Sequence, residues 1–422
     1  MVSLLPFRAL SPKAEHVNEV AAPPYDVMSR TEARIMIKDK QHSILRVTRP
    51  DAILGDEVQI DDQEAYDCAR KELKRLIDEA VVGYDDTPGF YIYTQQMGEH
   101  RQTGIVGLAS ADDYWADRIK KHEYTLPRKE DDRMRQVLSL GAHLGPVFLT
   151  HPPHQGLREL ITRYQRNQPD IYHIASDGIS HEIWRINTTE DVQQVGLYFT
   201  DIDLLYIADG HHRAAAAARV SRSLGEASKE AGHFLSVSFA SDELLVLPYQ
   251  RVVTSLGMNA GDLLNQLNID FKVSICSAPN NRDPSTSIIF PPQAQSWGMY
   301  LNHQWYILTP KSHLKSEITS KPLTAQLDVS ILQDYVLSAY LKVDDPRTCE
   351  HVSFVGGIRG FRELEERADA CKGVAFALYP TSVDELMNIA DSGAVMPPKS
   401  TWFEPKLRTG ILMSVFDRSQ LS

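Results

Sequence analysis

The residues of this chain best suited to chemistry crowd into one stretch, Asp209-Gly210-His211-His212-Arg213. Ahead of it runs Leu204 to Ala208, an apolar segment containing Tyr206 and Ile207 that suits a buried strand. Behind it come Ala214 to Ala218, about as strong a helix signal as a sequence offers. The reading is strand, tight turn, helix. The first turn of a helix presents unpaired N–H groups and the positive end of the helix dipole. Gly210 lets the backbone approach a ligand closely, and Arg213 offers a planar fork to oxyanions, so a phosphate is the expected occupant.

Two other stretches add charge. Lys121-His122-Glu123 and the segment Arg128 to Arg135 mix both signs, and the second is expected to open a helix running through Leu140. Lys121, His122, Glu123, Lys129 and Arg133 are expected to face a polyanionic ligand and its metal, with Glu123 the carboxylate placed to act as a general base. The competing reading is a solvated helix face with internal ion pairs. Met396 to Lys406, followed by Arg408, combines prolines, hydroxyls, Trp402-Phe403 and two lysines, Lys399 and Lys406. It reads as a lid over a phosphate-bearing ligand, or as a terminal loop anchored by its aromatic pair. His211 and His212 are not read as metal ligands: adjacent residues point in different directions, and no His-x-x-x-His or carboxylate spacing completes a site.

These groups need a scaffold. Pro23-Pro24 forces extended backbone, so Tyr25 and Asp26 either line a pocket or simply pack and cap. Ser29 with Glu32 three residues on is a capping box opening a helix. Ser43 to Thr48 alternates as a strand should. Gln63 to Ala80 reads as an amphipathic helix with Tyr66, Ala69, Leu73, Leu76 and Ile77 on one face. Phe90 to Thr94 and Gly104 to Ala109 read as strands on either side of a polar hairpin loop, and Gly145 to Thr150 and Phe234 to Ala240 as further strands. Beyond Leu256 the texture changes: a Pro/Asn/Ser-rich loop runs from Ser277 to Thr286, and Asp328 to Tyr340 reads as a helix capped by Asp328 or Ser330. The expected fold class is α/β or α+β, a mixed sheet with flanking helices in three portions: 1–103, a central 104–255 carrying the turn, and 256–422.

The chain of 422 residues is long enough for two or three domains, and its 42% hydrophobic and 24% charged content is ordinary for a globular protein. A net charge of −12 argues against broad attraction to nucleic acid or anionic membranes. No apolar run approaches a membrane span, and the opening residues do not form a signal peptide. Four scattered cysteines suggest neither a disulfide framework nor a zinc site, which fits a reducing cytoplasm.

Pro6-Phe7-Arg8-Ala9, Ala22-Pro23-Pro24-Tyr25-Asp26-Val27, Lys121-His122-Glu123, Lys129 to Arg133, Ala208 to Arg213 and Met396 to Phe403 together resemble the prokaryotic domain-of-unknown-function family 1015, over almost the whole chain. The Asp209 to Arg213 turn separately resembles the signature of the ParB-like and sulfiredoxin superfamily, which includes free serine kinases. That resemblance implies a ParB/sulfiredoxin-like central region in which the turn binds nucleotide phosphates. Where sulfiredoxin has its catalytic cysteine this chain has His211, so sulfinic acid reduction is not implied. No basic recognition helix of the ParB kind is present. What the resemblance implies is a kinase of a small hydroxyl metabolite such as free L-serine, using ATP or ADP and Mg²⁺. Gly210, His211, His212 and Arg213 would hold phosphates, Glu123 would take the hydroxyl proton, Asp209 would hold the metal or orient a histidine, and Lys399 and Lys406 would close over the phosphates. The alternative is a non-catalytic nucleotide-binding switch.

Overall fold

The computed structural model describes residues 1–225, 228, 230–279, 290–346 and 348–421. The loop expected from Ser277 to Thr286 lies, from 280 onward, outside them. The chain forms two compact units, Met1–Leu244 with Pro405–Ser422, and Leu245–Glu404. The boundary expected at residue 103 falls inside a single strand, His100–Ser110.

Among the described residues, the first unit is built on a nine-stranded mixed sheet. In chain order its strands are β1 (Leu4–Leu5), β2 (Phe90–Met97), β3 (His100–Ser110), β4 (Ile119–Lys120), β5 (Val147–His151), β6 (Ile171–Ile174), β7 (Ser180–Ile186), β8 (Leu205–Asp209) and β9 (His233–Ala240). They lie side by side as β4-β8-β5-β9-β3-β2-β7-β6, with β1 added alongside β3. Two pairings are parallel, β4 with β8 and β5 with β9. The expected mixed α/β architecture is what the molecule has. The β2–β3 hairpin extends further than its apolar residues alone suggested, because Thr94, Gln95, Gln102 and Thr103 continue the ladder as buried polar pairs.

The alanine run packs the helix His211–Leu224 closely on this sheet. Ala214, Ala216 and Ala218 are fully buried, and the helix shares a core with Leu205, Ile207 and Phe234. Larger side chains here would lift the helix from the sheet, and overpacking of that kind costs about 1–3 kcal/mol. The Trp115 indole donates to the Ala218 carbonyl at 3.1 Å, and the Arg222 guanidinium lies 3.5 Å over the Trp115 ring, fixing the helix sideways. The helix Pro127–Leu140 ends at Gly141, whose φ of 60° suits a left-handed C-cap. It is tied to the alanine helix by Arg219, which pairs with Glu130 at 3.1 Å and Asp131 at 2.6 Å.

The capping box at Ser29 and Glu32 is present. Ser43 to Thr48 is not a strand: Leu45–Thr48 is a short helix, with Ile44, Leu45 and Val47 buried in a core shared with the Gln63–Asp78 helix and Arg46 paired with Glu72 of that helix at 2.8 Å.

Among the described residues the second unit contains a six-stranded sheet, with Tyr249–Val253 between Val352–Gly356 and Val374–Leu378. The segment Asp328 to Tyr340 is helical but passes through a π-helical stretch, Gln333–Ser338. Neither Asp328 nor Ser330 caps it; the Asp328 carboxylate instead accepts the Gln295 N–H, and the Ser330 hydroxyl donates to the Thr324 carbonyl. The stretch read as a lid contains a strand, Trp402–Glu404, paired with Leu245–Leu247. No helix among the described residues is long and apolar enough to cross a membrane.

Candidate functional site

The parallel pairing of β4 with β8 decides what meets at the turn. Ile119 lies opposite Leu205 and Lys120 opposite Tyr206, so both strands leave the sheet in the same direction, side by side. The residues that follow them, Lys121-His122-Glu123 and Gly210-His211-His212, therefore emerge together. Between Ile207 and Asp209 the register against β5 shifts by one residue, a bulge that re-aims the Asp209 side chain at the end of the strand. Gly210 then takes a φ of 93°.

The two histidines clamp the neighbouring loop. His211 Nε2 accepts the backbone N–H of His122 at 3.4 Å, and His212 Nε2 accepts that of Leu126 at 3.0 Å. A neutral imidazole that accepts at Nε2 carries its proton on Nδ1. In His211 that atom faces Glu123 Oε2 at 3.8 Å. His211 is 4% exposed, and burial, followed by the neighbouring His122, holds it well below the ordinary histidine pKa. Burial likewise brings His122 down to about 4. The two rings meet edge to face at 4.4 Å. His211 is thus a buried, neutral ring that holds the loop through the His122 N–H.

Asp209 sits between two cations. Its Oδ2 is 3.5 Å from Arg213 Nη2 and 3.7 Å from Lys406 Nζ. Burial pushes this carboxyl up, but the Lys406 and Arg213 cations outweigh it and hold it down to about 2, so it is ionised. Lys406 arrives from 197 positions along the chain (406 − 209) because the segment Pro405–Thr409 is laid over the sheet by buried polar side chains. Gln95 donates to the Lys406 carbonyl at 2.9 Å and Gln102 to the Pro405 carbonyl at 3.3 Å. Arg408 donates to His181 Nε2 at 3.1 Å and pairs with Asp177.

On its other side Arg213 borders a cavity of about 60 Å³ lined also by Tyr25, Thr48, Arg133, His143 and Thr409. At about 10–15 Å³ for one water, this holds several waters or a small polar group. Arg133 is buried, bonded to Asp132 at 2.5 Å and Gln136 at 2.5 Å, with its guanidinium 4.0 Å over the Tyr25 ring. Burial raises the Tyr25 phenol above its usual range against the pull of Arg133 and Arg213, so it remains a neutral donor. Tyr25 belongs to the Pro-Pro-Tyr-Asp stretch noted in the sequence; Thr48 and Thr409 carry no local signal.

The other expected residues are spread more widely. Lys121 lies 4.4 Å over the Tyr114 ring and 3.7 Å from Asp117. Lys129 is exposed on the first turn of Pro127–Leu140. Lys399 belongs to the second unit, beside the Tyr249 hydroxyl at 3.5 Å.

Gly210 is strained by any substitute. A β-carbon would stand 3.0 Å from the Arg213 guanidinium, and a φ of 93° is unfavourable for any L side chain. Gly210→Ala should cost about 1–3 kcal/mol and displace Arg213, read as a lower denaturation midpoint. An unchanged midpoint would show that the turn tolerates a side chain.

Residues 4–330 match the family model described as "Protein of unknown function (DUF1015)". The chain belongs to that family. No curated protein matches this DUF1015 chain. Among solved structures it is similar to a free serine kinase in complex with AMP, at 14% identity, covering 73% of this chain and 91% of that one, with a TM-score of 0.34. It is similar also to SbnI with a C-terminal truncation from Staphylococcus aureus, at 11% identity, 75% and 92% coverage and a TM-score of 0.38. A conserved hypothetical protein from Pyrococcus furiosus matches at 14% identity, 74% and 95% coverage and a TM-score of 0.33. Likenesses this remote decide neither topology nor activity.

Proposed function

We propose that this protein is a nucleotide-dependent phosphotransferase acting on a small hydroxyl metabolite such as free L-serine. The observation that carries the reading is the meeting of Glu123 with the Asp209–Arg213 turn through His211 at 3.8 Å, beside Arg213 and Lys406. Phosphoryl transfer asks chiefly for positioning and charge neutralisation. Nucleotide phosphates would lie on the N–H groups at the start of the alanine helix, with Arg213 and Lys406 supplying positive charge. Glu123 would take the acceptor's hydroxyl proton as the new O–P bond forms and the bond to the leaving nucleotide breaks. Asp209 is the oxygen ligand that would hold Mg²⁺, which offsets phosphate charge when bound. The Arg213–Arg133–Tyr25 cavity suits an anionic group of either substrate.

The test is the thermal stability of the purified protein with ATP, ADP or CTP and Mg²⁺, each with and without L-serine. ATP or ADP at 100 times its Kd should add about 2.7 kcal/mol. Arg213→Ala should weaken that binding by about 10- to 100-fold, the usual range for a hydrogen bond to a charged group. A response to CTP alone, indifferent to serine, would overturn the kinase reading in favour of a switch.

A further inference from the structure

His16, Glu19 and His42 form a second cluster, built from residues that the proposed phosphotransferase reaction does not use. We infer that His16, Glu19 and His42 are a divalent transition-metal site, best matched to Zn²⁺, which clips three segments of the first unit together.

Two imidazoles and one carboxylate are a ligand set that zinc accepts with a fourth position left for water. One ligand atom from each residue lies within 4.8 Å of the others, and all three side chains are partly exposed, so an ion can enter. Ligand atoms around a tetrahedral zinc with bonds of about 2.1 Å stand roughly 3.4 Å apart. Binding would require the side chains to turn towards one another to close the difference.

The backbone is already held. Glu19 follows His16 by three residues across the start of the short helix Val17–Val20, which puts both on one side of it. Glu19 Oε1 accepts the His42 backbone N–H at 3.0 Å, and the Ile44 N–H bonds the Val20 carbonyl at 2.9 Å. The His42 loop is therefore pinned to the helix by contacts that do not depend on a metal.

The strongest pointer is the second ring nitrogen of His42. Its Nδ1 faces Glu19 Oε2 at 2.8 Å, while its Nε2 faces Glu79 Oε2 at 3.2 Å. Metal-ligating histidines habitually give their other N–H to a carboxylate, which fixes the tautomer and strengthens the ligand. Glu79, at the end of the Gln63–Asp78 helix, has that position and is itself held by Arg75 at 2.9 Å. The ion would lie between His42 Nδ1 and Glu19 Oε2, displacing to solvent any proton held there. The ion then joins the Val17–Val20 helix, the His42 loop and, through Glu79, the long helix.

The test is isothermal titration of chelator-treated full-length protein with Zn²⁺, comparing wild type with His16→Ala and His42→Ala. His16 makes no hydrogen bond to Glu19 or Glu79; His16→Ala removes its edge-on contact with the His42 ring at 5.8 Å but not the His42–Glu19 and His42–Glu79 pairs. The expected result is one ion per chain, bound at least 10-fold more weakly in either variant, with a zinc-dependent rise in melting temperature that His16→Ala removes. Absence of stoichiometric binding would overturn the inference. So would binding that His16→Ala leaves unchanged, since the ion would then sit elsewhere and the cluster would be an ion pair only. These outcomes are independent of nucleotide binding.

Discussion

Glu123→Gln should reduce phosphoryl transfer by about 10²- to 10⁴-fold, the range typical of a lost general base, while nucleotide binding is kept. The amide has the size of the carboxylate and can still meet His211 Nδ1, 3.8 Å from Glu123 Oε2, so the loop clamped by His211 and His212 should stay in place. What the variant loses is the ability to take a proton. The measurement is product formation from ATP or ADP with L-serine, alongside the nucleotide-induced thermal shift of the same sample. Full activity in Glu123→Gln would remove Glu123 from the chemistry. Loss of both activity and nucleotide response would make it a binding residue instead.

The second large effect is on stability against acid. Burial lowers His122 and His143 to about 4 and His151 to about 3. Their unfolded value is about 6.5. A histidine whose folded pKa is depressed takes up a proton more readily when unfolded. Its contribution is complete above about pH 6.5 and is lost as pH falls towards the folded value. Each should cost on the order of 1 kcal/mol between pH 7.5 and 5.5, so the three together cost a few kcal/mol, a large part of a typical 5–15 kcal/mol. Asp209, depressed to about 2, works in a different window: its contribution is present above the unfolded carboxylate value and lost only as pH falls through about 4 to 2. It therefore offers no compensation at pH 5.5. Urea denaturation at the two pH values should show the fall in midpoint. Equal midpoints would mean that these rings gain compensating partners when protonated.

Local signals in the sequence reached the elements whose structure is set by neighbouring residues. The strand–turn–helix at Asp209 to Arg213 follows from an apolar run, a glycine and an alanine run, and the Ser29 capping box from two side chains three residues apart. The helix Pro127–Leu140 belongs with them. Ser43 to Thr48 misled because alternation of a few residues does not separate a strand from a short, largely buried helix, and that burial is a tertiary fact.

The sequence by itself determined that Asp209, His211, His212 and Arg213 stand at the start of a helix. Tertiary structure alone decided their partners. Parallel pairing of Ile119–Lys120 with Leu205–Tyr206, between residues more than 80 positions apart, brings Glu123 to His211. Buried Gln95 and Gln102 carry Lys406 to Asp209, and the packing of Arg133 on Tyr25 makes the cavity beside Arg213. Burial also sets the charge of His211: a charged imidazole there would have to be desolvated, so the ring stays neutral while its Nε2 accepts the His122 N–H. Composition and spacing record which groups are available. Which of them meet, and in what charge state, depends on long-range pairing and on the water that packing excludes.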